Sequence, residues 1–472
     1  MSGDKTMSFA AAREQVLKAS AARDRIAKLF DPDTFVEVGV YAGAQCDGTG
    51  VVTGYGLVEG SPVYAFSQDN TQKDGAVGTA QGTKLKKLYD LALKTGAPVV
   101  GIYDSNGADL ADGLGALNAY GEMLLWTNNL SGVVPQISLV LGVCAGPAAM
   151  IAAAADFVIM SEKGQFFMAP PAVCAGEGAG TAENAAVSGA AHVIEKDDDS
   201  AIASARKLIA MLPANNLSAP PMFDFSETAG AAQALSAAAA DISSASLDDI
   251  ISNIADEGSA LELHADFAKD CASTVLATVA GSTVGFVAAS KDGELCASGC
   301  SKIARFVSVC DSFQIPVVTL VDCKGFAGAA EAQRKGGVRE AAKLAHVYAE
   351  ATTPKISVIV GKAYGSAFIS FAGRAANSDY TVAWPNAVIS PLDPKTAVAF
   401  MYGDKITKEK SREQVQADYA AQEASALAAA SKGHIDDVID PAATRGVIIS
   451  ALDMLSGKRV TTLPKKHANI PM

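Results

Sequence analysis

Two glycine turns carry the chemistry that this sequence can do. Pro135 to Met150 reads PQISLVLGVCAGPAAM, and Pro354 to Ile369 reads PKISVIVGKAYGSAFI. The second copy follows at an offset of 219 (354 − 135). Pro135, Ile137, Ser138, Gly142 and Gly146 answer Pro354, Ile356, Ser357, Gly361 and Gly365. Each copy reads as a buried strand that enters a tight turn and then a helix. At a helix start the first backbone N–H groups are unpaired and the dipole is positive. That setting suits an oxygen gaining negative charge. Glycine at 146 and 365 lets the backbone approach such an oxygen closely. The expectation is two oxyanion-binding sites, one in each half, with tight packing of the glycines as the plainer alternative.

Few other residues compete for a catalytic role. The chain has no HExxH, no GxSxG, no P-loop and no GxGxxG after a strand. His192, His264, His346, His434 and His467 stand apart and read as structural or surface residues. Eight Cys are scattered at 46, 144, 174, 271, 296, 300, 310 and 323, and the tight pair Cys296 and Cys300 has no His beside it. They read as reduced thiols of a reducing compartment, with no metal site. The net charge is −13 and no basic run stands out, which argues against a nucleic-acid partner. The N-terminal MSGDKTMSFAAAREQVLKAS mixes charges early and does not read as a signal peptide. The uncharged run 128–155 is broken by Pro135, Gln136, Gly142, Gly146 and Pro147, so it reads as a strand and a buried helix rather than a membrane span.

The elements that must position the turns follow in order. Residues 9–30 read as a helix and 35–40 as a strand. Residues 51–69 read as a hairpin around Glu59-Gly60-Ser61-Pro62. A helix over 83–95 stops at Gly96, a strand covers 98–103 and a helix covers 117–128. After the first turn come a strand at 157–160, a Gly/Ala-rich loop or lid at 176–191, a helix at 201–212 and a proline-bearing linker at 213–229. The second half repeats the plan. FDPDTFVEV (30–38) answers ADEGSALEL (255–263), and VEGSPVYAF (58–66) answers VAGSTVGFV (279–287). Lys84 and Lys302 hold equivalent helix positions. PVVGIYD (98–104) answers PVVTLVD (316–322), and ADFVIM (155–160) answers SDYTVAW (378–384). Matches in one order make an internal duplication, with an N-terminal domain over 1–225 and a C-terminal domain over 226–472. Strand, glycine loop, helix, strand is the grammar of an α/β protein. Helices in the tail at 405–430, a strand at 434–439 and a helix at 443–454 close the chain.

These stretches, with GTGVVTGYG (48–56), KTGAPVVGIYDSNGAD (94–109), LPANN (212–216), IDDVIDPAATR (435–445) and the terminal PKKHANIPM, resemble the carboxyltransferase subunits of biotin-dependent acyl-CoA carboxylases and decarboxylases. The likeness covers nearly the whole chain. It is strongest to the methylmalonyl-CoA decarboxylase α and propionyl-CoA carboxylase β types. It implies two tandem crotonase-like ββα-spiral domains and six subunits, homo- or hetero-, arranged as a trimer of dimers. It also implies transfer of a carboxyl group between biotin and a small acyl-CoA. The first domain would take the acyl-CoA and the second the biotin. No Ala-Met-Lys-Met biotin-attachment segment and no ATP-binding motif occur, so biotin is expected on a separate carrier subunit. Further carboxylase or decarboxylase subunits and a place in the cytoplasm, or at the edge of a membrane complex, go with the family. By the same resemblance the thioester oxygen falls to Gly146, Pro147 and Ala108, with Gly107, Cys144 and Ala145 around it. The biotin oxygen falls to Gly365 and Ser366, with Ala363 and Tyr364 beside them.

The chain departs from the family pattern at several of these positions. Relatives carry two glycines where this chain has Gly146-Pro147, and proline has no N–H. Asp109 stands for an Arg, and it would repel an anionic acyl group that it faced. Lys324 stands for a Pro, and Arg339-Glu340-Ala341-Ala342-Lys343 for Arg-His-Gly-Ala-Lys. Two readings stay open: an active carboxyltransferase, or a weakened paralogue serving as an assembly subunit.

Overall fold

The computed structural model describes residues 8–42, 48–169, 173, 178–374, 378–461, 463–465 and 467–471. The chain divides into two units, Met1–Pro221 and Met222–Met472. The division lies inside the proline-bearing stretch 213–229. No described helix is long and apolar enough to cross a membrane.

Each unit is built on one eight-stranded sheet. The first contains β1 (Val36–Glu37), β2 (Val51–Val58), β3 (Ser61–Gln68), β4 (Val99–Ser105), β5 (Gln136–Ala145), β6 (Phe157–Ser161), β7 (Gln165–Phe167) and β8 (Val193–Glu195). The second contains β9 (Leu261–Leu263), β10 (Ala272–Val279), β11 (Ser282–Leu295), β12 (Val317–Phe326), β13 (Lys355–Tyr364), β14 (Tyr380–Ala383), β15 (Val388–Ser390) and β16 (Asp437–Val438). The order β1-β2-β3-β4-β5-β6-β8, with β7 against β5, is repeated as β9-β10-β11-β12-β13-β14-β16, with β15 against β13. In both sheets the first three strands run antiparallel and the rest pair in parallel. The duplication therefore extends to every strand.

The parallel strands are buried on both faces, which is why β4, β5 and β13 read as near-continuous apolar runs. Helices Thr79–Thr95 and Leu114–Leu130 cover the first sheet through Leu85, Leu88, Tyr120 and Met123. In the second unit Ile250, Ile254, Phe286, Leu320, Val358 and Trp384 form the core, and the buried Trp384 indole donates to Thr444 Oγ1 at 3.0 Å. The helix expected over 9–30 is broken in two, Phe9–Val16 and Ala21–Leu29. Ser20 takes an extended conformation at the start of the second helix, where Ser is favoured. The strand expected over 35–40 is limited to Val36–Glu37. Within the stretch expected to be a lid, residues 176 and 177 lie outside the described residues, and Ala182–Val187 is a short helix.

A pair of ionic clasps repeats as faithfully as the strands. Asp31 accepts from the Glu59 and Gly60 N–H groups of the β2–β3 turn, at 3.1 and 2.9 Å. Asp256 accepts from Ala280 and Gly281 in the β10–β11 turn, at 3.0 and 2.9 Å. Both turns have positive φ at both residues, so an acceptor for their N–H groups is part of the turn's stability. An arginine then closes each clasp. Arg206 bonds the Leu29 carbonyl and Asp31, and Arg445 bonds the Ile254 carbonyl and Asp256. Burial alone would raise the Asp256 carboxyl. Hydrogen bonds from Thr278, Arg445 and the two turn N–H groups outweigh it and hold that carboxyl below its ordinary value of 3.8.

The two clasps differ in exposure, and this sets a prediction. Arg445 and Asp256 are 7% and 3% exposed, against 22% and 23% for Arg206 and Asp31. Replacing Arg445 with Met should cost about 3 kcal/mol by stranding a buried charge. Replacing Arg206 should cost about 1 kcal/mol or less. Because the folded value of Asp256 is depressed, its contribution is full above the unfolded value and is lost as pH falls through the folded one. Denaturant midpoints measured from pH 7 to pH 2 should therefore drop less steeply below about pH 4 in Asp256→Asn than in the wild type.

Candidate active site

The two matched glycines in each copy do different work. Gly142 lies against the buried carboxylate at the end of β4. A Cβ there would sit 2.1 Å from Asp104 Oδ1. Gly361 repeats this against Asp322, at 2.2 Å. Asp104 is held by Arg25 at 2.7 Å and Asn70 at 3.2 Å, while Asp322 accepts the Lys362 N–H at 2.7 Å. These are packing glycines. Gly146 and Gly365 make the turns, with φ/ψ of 58/−127 and 52/−121, a region that side chains rarely adopt.

The N–H groups of these turn glycines are already spent. Gly146 donates to the Phe167 carbonyl and Gly365 to the Ser390 carbonyl, each at 2.9 Å. The acceptors are the last residues of β7 and β15, the short strands laid against β5 and β13. Each strand pins its turn and removes one donor. The donor left at each helix start is therefore the next residue. In the second unit that is Ser366, the first residue of helix Ser366–Phe371. In the first unit it is Pro147, the first residue of helix Pro147–Ala154, which has no N–H to give.

A second donor in each unit comes from the end of the neighbouring strand. Gly107 and Gly325 share an unusual φ, 115° and 118°. The bridge between Val77 and Ala108 uses the Gly107 carbonyl and the Asp109 N–H. This turns the Ala108 N–H to the opposite side, where Ser105 of β4 pairs with Cys144 of β5. The pairing of Leu295 with Phe326 uses the Ala327 N–H and likewise turns the Phe326 N–H toward β13. A Cβ on Gly325 would stand 3.9 Å from the Tyr364 carbonyl, so this strand end runs alongside the second turn. Among the described residues, neither the Ala108 nor the Ser366 N–H meets a hydrogen-bond acceptor. The second unit thus leaves the Ser366 N–H open, with the Phe326 N–H turned toward β13, and the first leaves the Ala108 N–H open.

Phe326 was legible in principle. It follows Gly325 as Ala108 follows Gly107, at the offset of 218 (325 − 107) that also relates PVVGIYD to PVVTLVD. The other expected lining residues are strand positions with buried side chains: Cys144, Ala145, Ala363 and Tyr364 are all less than a tenth exposed. Burial pushes the Cys144 thiol well up, so it is a poor nucleophile. Asp109 turns its carboxylate to the Ala111 N–H at 3.0 Å and to Lys73 at 3.6 Å. Its charge is thus balanced within the loop. Glu340 is gripped by Lys343 at 2.6 Å and Arg339 at 3.1 Å. Burial raises its carboxyl, but the two cations outweigh that and hold it below the usual range. His192 accepts the Val158 N–H and His346 pairs with Glu350, away from the turns. No cluster of metal-binding side chains occurs among the described residues.

What repeats at both sites is a strand end beside a glycine-turned helix start. Residues 19–470 match the carboxyl transferase domain. The chain belongs to that family. It is 36% identical to methylmalonyl-CoA decarboxylase subunit alpha of Veillonella parvula, over 96% of this chain and 93% of that protein. It is 36% identical to the methylmalonyl-CoA carboxyltransferase 12S subunit of Propionibacterium freudenreichii subsp. shermanii, over 95% and 91%. A crystal structure of transcarboxylase 12S, a hexamer with hydrolysed methylmalonyl-coenzyme A bound, superimposes with a TM-score of 0.89 at 35% identity, covering 98% of this chain and 94% of that one. The crotonase-like fold with two domains, expected from the sequence, is the fold of this carboxyltransferase.

The separate duties of the glycines can be checked by stability. Gly142→Ala and Gly361→Ala should each cost about 2–3 kcal/mol through overpacking against a buried carboxylate. Gly121→Ala, in the middle of helix Leu114–Leu130 with open space around it, should be neutral or slightly stabilising. Thermal unfolding of the three variants reads the difference.

Proposed function

We propose that this chain moves a carboxyl group between biotin on a separate carrier protein and a small acyl-CoA, with the acyl-CoA served by the first unit and biotin by the second. The observation that carries this reading is the doubled geometry, a strand end beside a glycine-turned helix start, with an open N–H at Ala108 in one unit and at Ser366 in the other. Making or breaking the bond between the acyl α-carbon and the carboxyl group drives negative charge onto the thioester oxygen. Ala108 would hold that oxygen through its N–H, which costs no reorganisation at the moment of reaction. Biotin, when bound, supplies the ureido group that carries the carboxyl. Phe326 and Ser366 would take its ureido oxygen, because a pair of backbone N–H groups suits a single acceptor. The methylmalonyl-CoA enzymes among the relatives support a small acyl group. The same likeness supports a hexamer like that of transcarboxylase 12S.

One observation favours a second reading, an assembly subunit with little activity of its own. With the Gly146 N–H taken by Phe167 and no N–H on Pro147, the first unit has lost the donor that Ser366 supplies in the second.

The deciding assay is decarboxylation of malonyl-, methylmalonyl- and glutaconyl-CoA with free biotin. The wild type should turn over at least one of them, and Pro147→Gly should raise kcat roughly 10- to 100-fold. Ser366→Pro should lower it about 100-fold, and Pro147 shows that a turn of this kind accepts proline at that position. Turnover found only in Pro147→Gly would replace the first reading with the second.

A further inference from the structure

The second unit holds a cysteine pair that the expectation of reduced thiols did not foresee. Cys271 and Cys296 are joined as a disulfide, with Cα atoms 6.2 Å apart and a separation of 25 positions in sequence. Both are partly exposed, whereas Cys144, Cys300, Cys310 and Cys323 are free and buried. Cys46 and Cys174 lie outside the described residues.

The position of the pair connects it to the second turn. Cys296 is the N-cap of helix Ala297–Ser312, where its sulfur accepts the Gly299 N–H at 3.3 Å. Burial, first of all, pushes the Cys300 and Cys323 thiols up to about 12 and about 11, so they do not compete for an oxidant. The residue before Cys296 is Leu295, the last of β11. It pairs with Phe326 and accepts the Ala327 N–H at 3.0 Å. Between Ala289 and Leu295 the β11–β12 register shifts twice, with Gly293 paired to Cys323 between the shifts, so the end of β11 is irregular. Cys271 stands just before β10. Its neighbour Ala272 is fixed through its carbonyl by the buried Lys302 amine at 2.9 Å. The disulfide therefore ties the irregular end of β11 to the start of β10.

We propose that Cys271 and Cys296 form a reversible thiol–disulfide switch whose closed state holds Leu295, and through it the Phe326 N–H, in place beside the second turn. The two thiols lose two protons and two electrons as the S–S bond forms. A small-molecule disulfide such as oxidised glutathione takes them up and leaves as two thiols. The closed form is the competent one. The link to biotin rests on the function proposed above, while the switch itself does not.

The test uses the full-length protein equilibrated across ratios of reduced to oxidised glutathione. Free thiols are trapped by alkylation, linked peptides are measured by mass spectrometry, and amide hydrogen exchange is followed over residues 317–327. The linked 271–296 peptide should come and go reversibly without denaturant. On reduction, exchange at 323–327 should speed up several-fold and turnover should fall several-fold. Cys296→Ser keeps a helix cap and should behave as the reduced form at every ratio. Cys300→Ser should change nothing in the redox response. Full alkylation of Cys271 and Cys296 at every ratio would overturn the switch, as would a link that yields only after unfolding. A reversible link with unchanged exchange at 323–327 would overturn the coupling. Hydrogen exchange decides this even in a protein without turnover, so failure of the proposed function is seen separately.

Discussion

The hydrogen bond from the Gly146 N–H to Phe167, copied by that from Gly365 to Ser390, governs what each site can offer a ligand. A backbone N–H has one proton to give. Once a short strand beside the turn accepts it, the turn is held in its left-handed conformation and the ligand must use other donors. The duty passes to the next residue and to the end of the adjacent strand. That is why one substitution matters so much here. Serine at 366 has an N–H at that position and proline at 147 has none, although both start a helix. The two turns share one backbone and differ at their helix starts by one N–H.

The scaffold around this bond is repeated in more detail than the catalytic function alone requires. Strand order, register, positive-φ turns and clasping arginines all recur. The repeated features satisfy buried polar groups that would otherwise be costly. The β2–β3 and β10–β11 turns need an acceptor, an aspartate supplies it, and an arginine neutralises the aspartate. The residues free to diverge are those whose side chains answer to no such need. Ala108 became Phe326, and Pro147 corresponds to Ser366.

Much of this was legible in the sequence. The apolar runs, the Glu59-Gly60 hairpin and the 219-residue offset gave the strands, the turns and the duplication, and the family resemblance gave the carboxyltransferase. Other features depend on contacts that no spacing reports. Gly142 and Gly146 look alike in sequence. Only the approach of Asp104, thirty-eight residues earlier (142 − 104), marks the first as a packing residue. The spending of the Gly146 N–H depends on where β7 folds back. Arg206 and Arg445 lie 239 residues apart (445 − 206), outside the offset of the matched segments, because the linker and tail differ in length. The cysteine pair was missed because proximity in sequence pointed to Cys296 and Cys300, one helical turn apart, whereas the fold brings Cys271 to the helix cap.

The central claim is that the first site stabilises its oxyanion through the Ala108 N–H alone. A crystal structure with an acyl-CoA analogue bound, one whose thioester is replaced by a stable enolate mimic, tests it most directly. The claim predicts the mimic's oxygen within about 3 Å of the Ala108 nitrogen, with the Gly146 N–H still bonded to Phe167 and no second backbone donor in reach. An oxygen held by the Gly146 N–H, with the bond to Phe167 broken, would contradict it.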